Sequence, residues 1–176
     1  MLQLFDNPKI PLHQQLDKIK SGEIPLRAIS LNNPYCTLMH NGKTLETRMY
    51  KTNVRGLVLF CSCGEQFTKD KVVETSGGKQ FKRILKALDV EYENQRCNAF
   101  LDGYMLSIGN LVDCRPMRKT DENNAFVNYS ADRWVWVVED CTPVIPVPYK
   151  GKQGWRLFDV VKNKEDFEIV KQIQLL

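Results

Sequence analysis

The stretch ISLNNPYCTLMHNGKTLETRMYKTNVRGLVLFCS, residues 29–62, sets the reading of this chain. It opens on the end of an apolar, alternating segment, LRAISLN (26–32), which predicts a strand. Asn33-Pro34 then starts a short helix, because Asn caps and Pro tolerates the first helical position; Gly42 suits its end. Thr, Leu, Met and Tyr in KTLETRMYK (43–51) favour a strand. In an extended strand Thr44, Glu46 and Arg48 share one side and Lys43, Leu45 and Thr47 the other. VRGLVLFCSC (54–63) is an almost unbroken apolar run, the mark of a strand covered on both faces.

Outward from this stretch, PLHQQLDKIK (11–20) places Leu12, Leu16 and Ile19 on one helical stripe, and Ser21-Gly22 ends it. Residues 64–78 are polar and Gly-rich and read as loop, whereas KQFKRILKALDV (79–90) is an amphipathic helix through Phe81, Ile84, Leu85 and Leu88. GYMLSIGNLVDC (103–114) reads as a strand with a bend at Gly109, and RWVWVVEDC (133–141) as another. The proline-rich TPVIPVPYKGKQG (142–154) reads as an extended loop, WRLFDV (155–160) as a closing strand, and the last residues as a helix. Strands parted by turn-rich loops, with few helices, predict an α+β fold built on a small mixed barrel of about five to six strands.

At 176 residues the chain is one domain with room for a core, and 43% hydrophobic against 26% charged residues excludes a disordered chain. A net charge of +4 permits a nucleic-acid partner without demanding one. No run is long and apolar enough to span a membrane, and the start MLQLFDNPKIPLH lacks the basic, apolar pattern of a secretory signal, so a cytoplasmic location without membrane contact is expected. The six cysteines then read as reduced thiols. Cys61 and Cys63 stand in C-x-C spacing, and His13 and His40 have no paired ligand, so no metal is expected. Neither G-x-G-x-x-G nor a phosphate-binding G-x-x-x-x-G-K-[ST] occurs, and no cofactor is expected.

Between residues 43 and 55 four cations, Lys43, Arg48, Lys51 and Arg55, face one carboxylate, Glu46. Arg offers a planar fork to phosphate oxygens and Lys a point charge, so this density suits phosphate recognition. Lys150, Lys152 and Arg156 add to it from the far end of the chain, among the aromatics Tyr35, Tyr50, Trp136, Tyr149 and Trp155. Rings of this kind stack on bases for about 1–3 kcal/mol each. The same features have plainer readings: Glu46 and Arg48 as a structural ion pair, Trp134 and Trp136 as core, Gln153 as a turn cap rather than a base contact.

The segment 29–62, with Asn33-Pro34, Gly42-Lys43-Thr44, Glu46, Arg48 and Arg55-Gly56, resembles the opening of the ASCH domain family, which is related to the PUA-like fold. GYMLSIGNLVDCRPM (103–117) and RWVWVVEDCTPVIPVPYKGKQGW (133–155) are similar to its second half. The resemblance implies a PUA-like mixed barrel over 26–160 with a helical insertion around 64–100, an N-terminal helical extension over 1–25, and a C-terminal helix, 161–176, packed on the barrel. It also implies a cleft beside the G-K-T-x-E-x-R strand that binds RNA or a nucleotide, with DNA possible, through Asn33, Lys43, Thr44, Glu46, Arg48, Arg55, Trp136, Lys150 and Gln153. An alternative is a small hydrolase, either a ribonuclease or a nucleoside amidohydrolase, with Lys43 and Glu46 as its catalytic groups. The amidohydrolase branch carries a Thr where this chain has Glu46. A third alternative is a protein-interaction module working through its terminal helices.

Overall fold

Residues 57–62 are all buried, and alternate residues enter different cores. Leu57, Leu59 and Cys61 pack toward two helices, while Val58 and Phe60 face the inside of a curved sheet. The computed structural model describes residues 10–176. In chain order these form α1 (Leu12–Lys20), β1 (Leu26–Leu31), α2 (Tyr35–Leu38), β2 (Leu45–Arg48), β3 (Gly56–Ser62), α3 (Lys69–Ser76), α4 (Gly78–Leu88), β4 (Tyr104–Pro116), α5 (Glu122–Ala125), β5 (Trp134–Pro148), β6 (Arg156–Phe158) and α6 (Lys164–Lys171). None of these helices is long and apolar enough to cross a membrane. The part of the expected N-terminal extension that falls on residues 1–9 lies outside the described residues.

The sheet has six strands in the order β2-β5-β4-β3-β1-β6, with β1 and β3 parallel and every other pair antiparallel. The α+β class and the strand number agree with the sequence reading; the closed barrel does not. No ladder joins the edge strands β2 and β6. The sheet nonetheless curls. In a flat sheet, four strand spacings would part β2 from β1 by about 19 Å, yet Arg48 Nη2 lies 3.4 Å from the carbonyl oxygen of Ser30 on β1. Ile29, Leu31, Val58, Phe60, Leu106, Leu111, Trp136 and Val138 fill the inside of the curl. Outside it, α1 and α6 cover β1, β3 and β4 through Leu16, Ile19 and Val170, and α3 and α4 cover β5 through Val72, Phe81, Ile84 and Val135.

Two elements depart from their local signals. Residues 69–76, read as loop, are helical: Thr68 Oγ1 accepts a hydrogen bond from Lys71 N, Asp70 occupies the first turn, and Val72 is buried. Gly77 turns the chain into α4 at φ +82°, where a Cβ would stand 2.1 Å from Asn128 Nδ2. The proline run 143–148, also read as loop, extends β5. Prolines are tolerated there because β2 stops at the partner of Val137, leaving β5 one full neighbour, β4. Gly109, expected to mark a bend, is the residue skipped at the register shift between Ile108 and Asn110 of the β4–β5 ladder.

The connection after β4 is held by one carboxylate. Asp121 accepts from both guanidinium arms of Arg115, at 2.7 and 2.9 Å, and from Arg118 N at 2.7 Å. The Arg115 hydrogen bonds hold its carboxyl below the usual carboxylate range. Its folded value therefore lies under the unfolded one, and its contribution is present above about pH 4 and lost as pH falls through the depressed value. Asp121→Asn is expected to cost about 1–3 kcal/mol at pH 7, with the difference from wild type closing at an acid pH below the depressed value, where the carboxyl is protonated in both states. Urea unfolding at both pH values measures this, and an undiminished gap in acid counts against the ion pair.

Candidate ligand-binding cleft

The cleft lies where the curled sheet fails to close, between β1 and β2. Its inner part is a pocket of about 210 Å³ lined by Ser30, Leu31, Asn32, Tyr35, Lys43, Glu46, Thr47, Arg48, Phe67, Thr75, Val127 and Arg133. Lys43 stands in the turn before β2, its N–H on Leu38 O, and its chain runs back along the pocket wall at 1% exposure. Nζ donates to the carbonyl oxygens of Leu45 and Ala125 and lies 3.4 Å from Glu46 Oε2. The ammonium group thus has two hydrogen bonds and an ion pair within the chain. Burial pushes the Lys43 amine below its usual range, and the neighbouring Glu46 carboxylate opposes that shift.

Glu46 Oε1 is 3.0 Å from Arg48 Nε. The contact is charge pairing, since that buried N–H has no aligned acceptor. The Arg48 guanidinium lies over the Trp136 ring, 5.6 Å from its centroid. Trp136 is 1% exposed, stacks on Trp155 at 5.1 Å and 14°, and meets the edge of Tyr50. It is the rigid floor beneath Arg48. On the other wall Arg133 Nη1 donates to Thr47 Oγ1 at 3.0 Å. The Tyr35 hydroxyl shares a 2.6 Å hydrogen bond with Ser76 of α3, and burial pushes it up to about 12. With Lys43 protonated in its ion pair, the pocket carries three cations around one carboxylate.

Ser30, Asn32 and Arg48 also line a wider basin of about 1110 Å³. The loop after β5 forms its rim with Tyr149, Lys150, Lys152 and Gln153, and Tyr50 stands at its mouth, 47% exposed. The loop comes close to β1 at Gly151, where a Cβ would fall 2.0 Å from Ser30 Oγ.

Of the residues expected at the cleft, Lys43, Glu46, Arg48, Lys150 and Gln153 are brought together, with Trp136 buried beneath them. Three others are placed elsewhere. The Asn33 side chain is fully buried and makes four hydrogen bonds, donating to Leu101 O and Asp102 Oδ1 and accepting from Thr37 N and Oγ1. Thr44 is exposed on the outer side of β2, beside His40 and Val138. Arg55 is tied to Asp113 at 3.5 Å and to the carbonyls of Thr52 and Val54. Thr47, expected on the face opposite Glu46, also lines the pocket, drawn there by Arg133. Arg133 and Thr75 carried no signal in the sequence, because each reaches the pocket from a segment distant from 43–55, and the signal of its neighbour Asn33 overshadows Asn32.

No family model and no curated protein matches the chain. Among solved structures, the crystal structure of ASCH from Zymomonas mobilis superposes with a TM-score of 0.51 at 10% identity, covering 85% of this chain and 96% of that one. This chain has the ASCH-domain fold. A point mutant of the same Zymomonas mobilis protein gives a TM-score of 0.49 at 10% identity, covering 85% of this chain and 99% of that one. Against the ASCH fold of that protein, most of the length of both chains is accounted for.

Proposed function

We propose that this ASCH-fold chain is a nucleic-acid-binding module, with RNA as its leading ligand, and that the cleft between β1 and β2 is its binding site. The observation that carries this is the charge of the inner pocket: Lys43, Arg48 and Arg133 against Glu46 alone, opening onto a basin rimmed by Lys150 and Lys152. An excess of positive charge in a cleft calls for an anion, and lysines on a rim beside tyrosine rings match a phosphate backbone carrying bases. The resemblance of residues 29–62 to the ASCH family supports the same ligand class. In this reading Lys43, whose ammonium donates to the Leu45 and Ala125 carbonyls and pairs with Glu46, serves to hold Glu46 rather than to touch phosphate.

The test is fluorescence polarisation with short single-stranded RNA and DNA over a range of salt. Affinity is expected to fall linearly on logarithmic axes as counterions are released. Lys150→Ala/Lys152→Ala should lower the slope by about one for each phosphate contact removed. Affinity independent of salt overturns the reading, and fragmentation of the RNA in the same samples brings the hydrolase alternative forward.

A further inference from the structure

We propose that the inner pocket receives the terminal phosphomonoester of a nucleic-acid chain and that the basin receives the nucleotide attached to it. This rests on the binding reading above and states which part of the ligand enters which part of the cleft.

Depth gives the first argument. Leu31, Tyr35, Lys43 and Val127, all under 9% exposed, form the walls of the pocket, and it meets the basin through Ser30, Asn32 and Arg48. A phosphate inside a strand has two ester arms and needs a way in and a way out. At about 210 Å³ the pocket takes a phosphate and leaves little room for a second nucleotide beyond it. A chain end needs one opening.

Charge gives the second. The pocket's cations exceed its carboxylate by two, with Lys43 protonated. A terminal phosphomonoester carries about −1.5 to −2 at neutral pH. An internal diester supplies about half of that, and a base supplies nothing. Burying a neutral base there would leave two cations out of water without a counter-charge, which is unfavourable.

Unused donors give the third. The Arg48 fork pairs with Glu46 through Nε, at 3.0 Å, and reaches the Ser30 carbonyl oxygen through Nη2, at 3.4 Å, which leaves Nη1 without a partner among the described residues. Arg133 spends one side-chain hydrogen bond, to Thr47, among the described residues. That leaves the rest of its fork for the three oxygens of a terminal phosphate, the geometry in which Arg binds best. The basin is about 1110 Å³, against about 210 Å³ for the pocket, and it has the exposed Tyr50 and the half-buried Tyr149 for a base and Lys150 and Lys152 for the next phosphate.

The experiment uses the full chain and internally labelled short single-stranded RNA ending in a 5′-phosphate, a 3′-phosphate or hydroxyls only. One phosphorylated end is expected to bind at least about tenfold more tightly than the hydroxyl-ended strand. Arg133→Gln, with its fold checked by circular dichroism, should remove that preference. Lys150→Ala/Lys152→Ala should weaken all three strands and keep it. On the wild-type chain, adenosine monophosphate should displace the phosphorylated strand at concentrations where adenosine does not. Equal binding of all three strands with salt dependence retained, or equal competition by the nucleotide and the nucleoside, overturns the inference and leaves the binding reading standing. Absence of salt-sensitive binding by every strand overturns both.

Discussion

Lys43→Met is expected to lower the stability of the chain by about 3–5 kcal/mol, the usual cost of removing one partner of a buried ion pair. For a domain of this size each kcal/mol moves the unfolding temperature by about 2–4 °C, so a fall of roughly 6–20 °C should be seen by calorimetry. The reason lies in what the ammonium group holds. It supplies the hydrogen bonds of the Leu45 and Ala125 carbonyls and half the neutralisation of Glu46, which is itself only 8% exposed. Methionine fills similar space but leaves two carbonyls unpaired and the carboxylate dependent on Arg48. Lys43→Met/Glu46→Gln should recover part of the loss, since the second change removes the buried charge that the first one strands. A single-variant loss below about 1 kcal/mol would show the pair to be as weak as an exposed one. Were Lys43 a ligand contact instead, affinity would fall while the unfolding temperature stayed unchanged.

The second large effect is expected at Trp136. Trp136→Ala should cost about 3–5 kcal/mol, because the ring is fully buried and its loss opens a cavity inside the curl of the sheet. Trp136→Phe should cost less and should leave RNA affinity within about threefold of wild type, because the ring supports Arg48 from below rather than meeting the ligand. A stacking platform would behave differently: its replacement takes away about 1–3 kcal/mol of binding per base. Chemical denaturation and polarisation titration on the two variants separate the roles. A stable Trp136→Phe protein with binding reduced beyond tenfold would place the ring against the ligand.

What was legible in the sequence was local. The apolar run of β3 records that both its faces are covered. The stripe of Phe81 and Ile84 records which side of α4 is covered. The cluster Lys43, Glu46, Arg48 could be read because its members lie within one turn and one strand, so that chain geometry alone brings them near each other. The helix α3 could not be read in this way: it has eight residues, and burial of Val72 and the Thr68 cap make up for weak propensity. The strand character of the proline run depends on β2 ending early beside it, which no property of residues 143–148 states.

The site itself divides along the same line. The sequence by itself determined the charge to be gathered at β2 and the α+β class of the fold. It could not determine that the sheet stays open, since closure depends on where the edge strands β2 and β6 come to lie once the sheet has curled. Nor could it determine which cations share the cleft. Arg55, seven residues from Arg48, is tied to Asp113 away from the pocket, while Arg133, far along the chain, is drawn into it by Thr47. Local periodicity tells each segment which side to bury, but the meeting of β1 with β2 is made by the curl of the four strand spacings between them. That curl arises only when the whole sheet packs around its inner core.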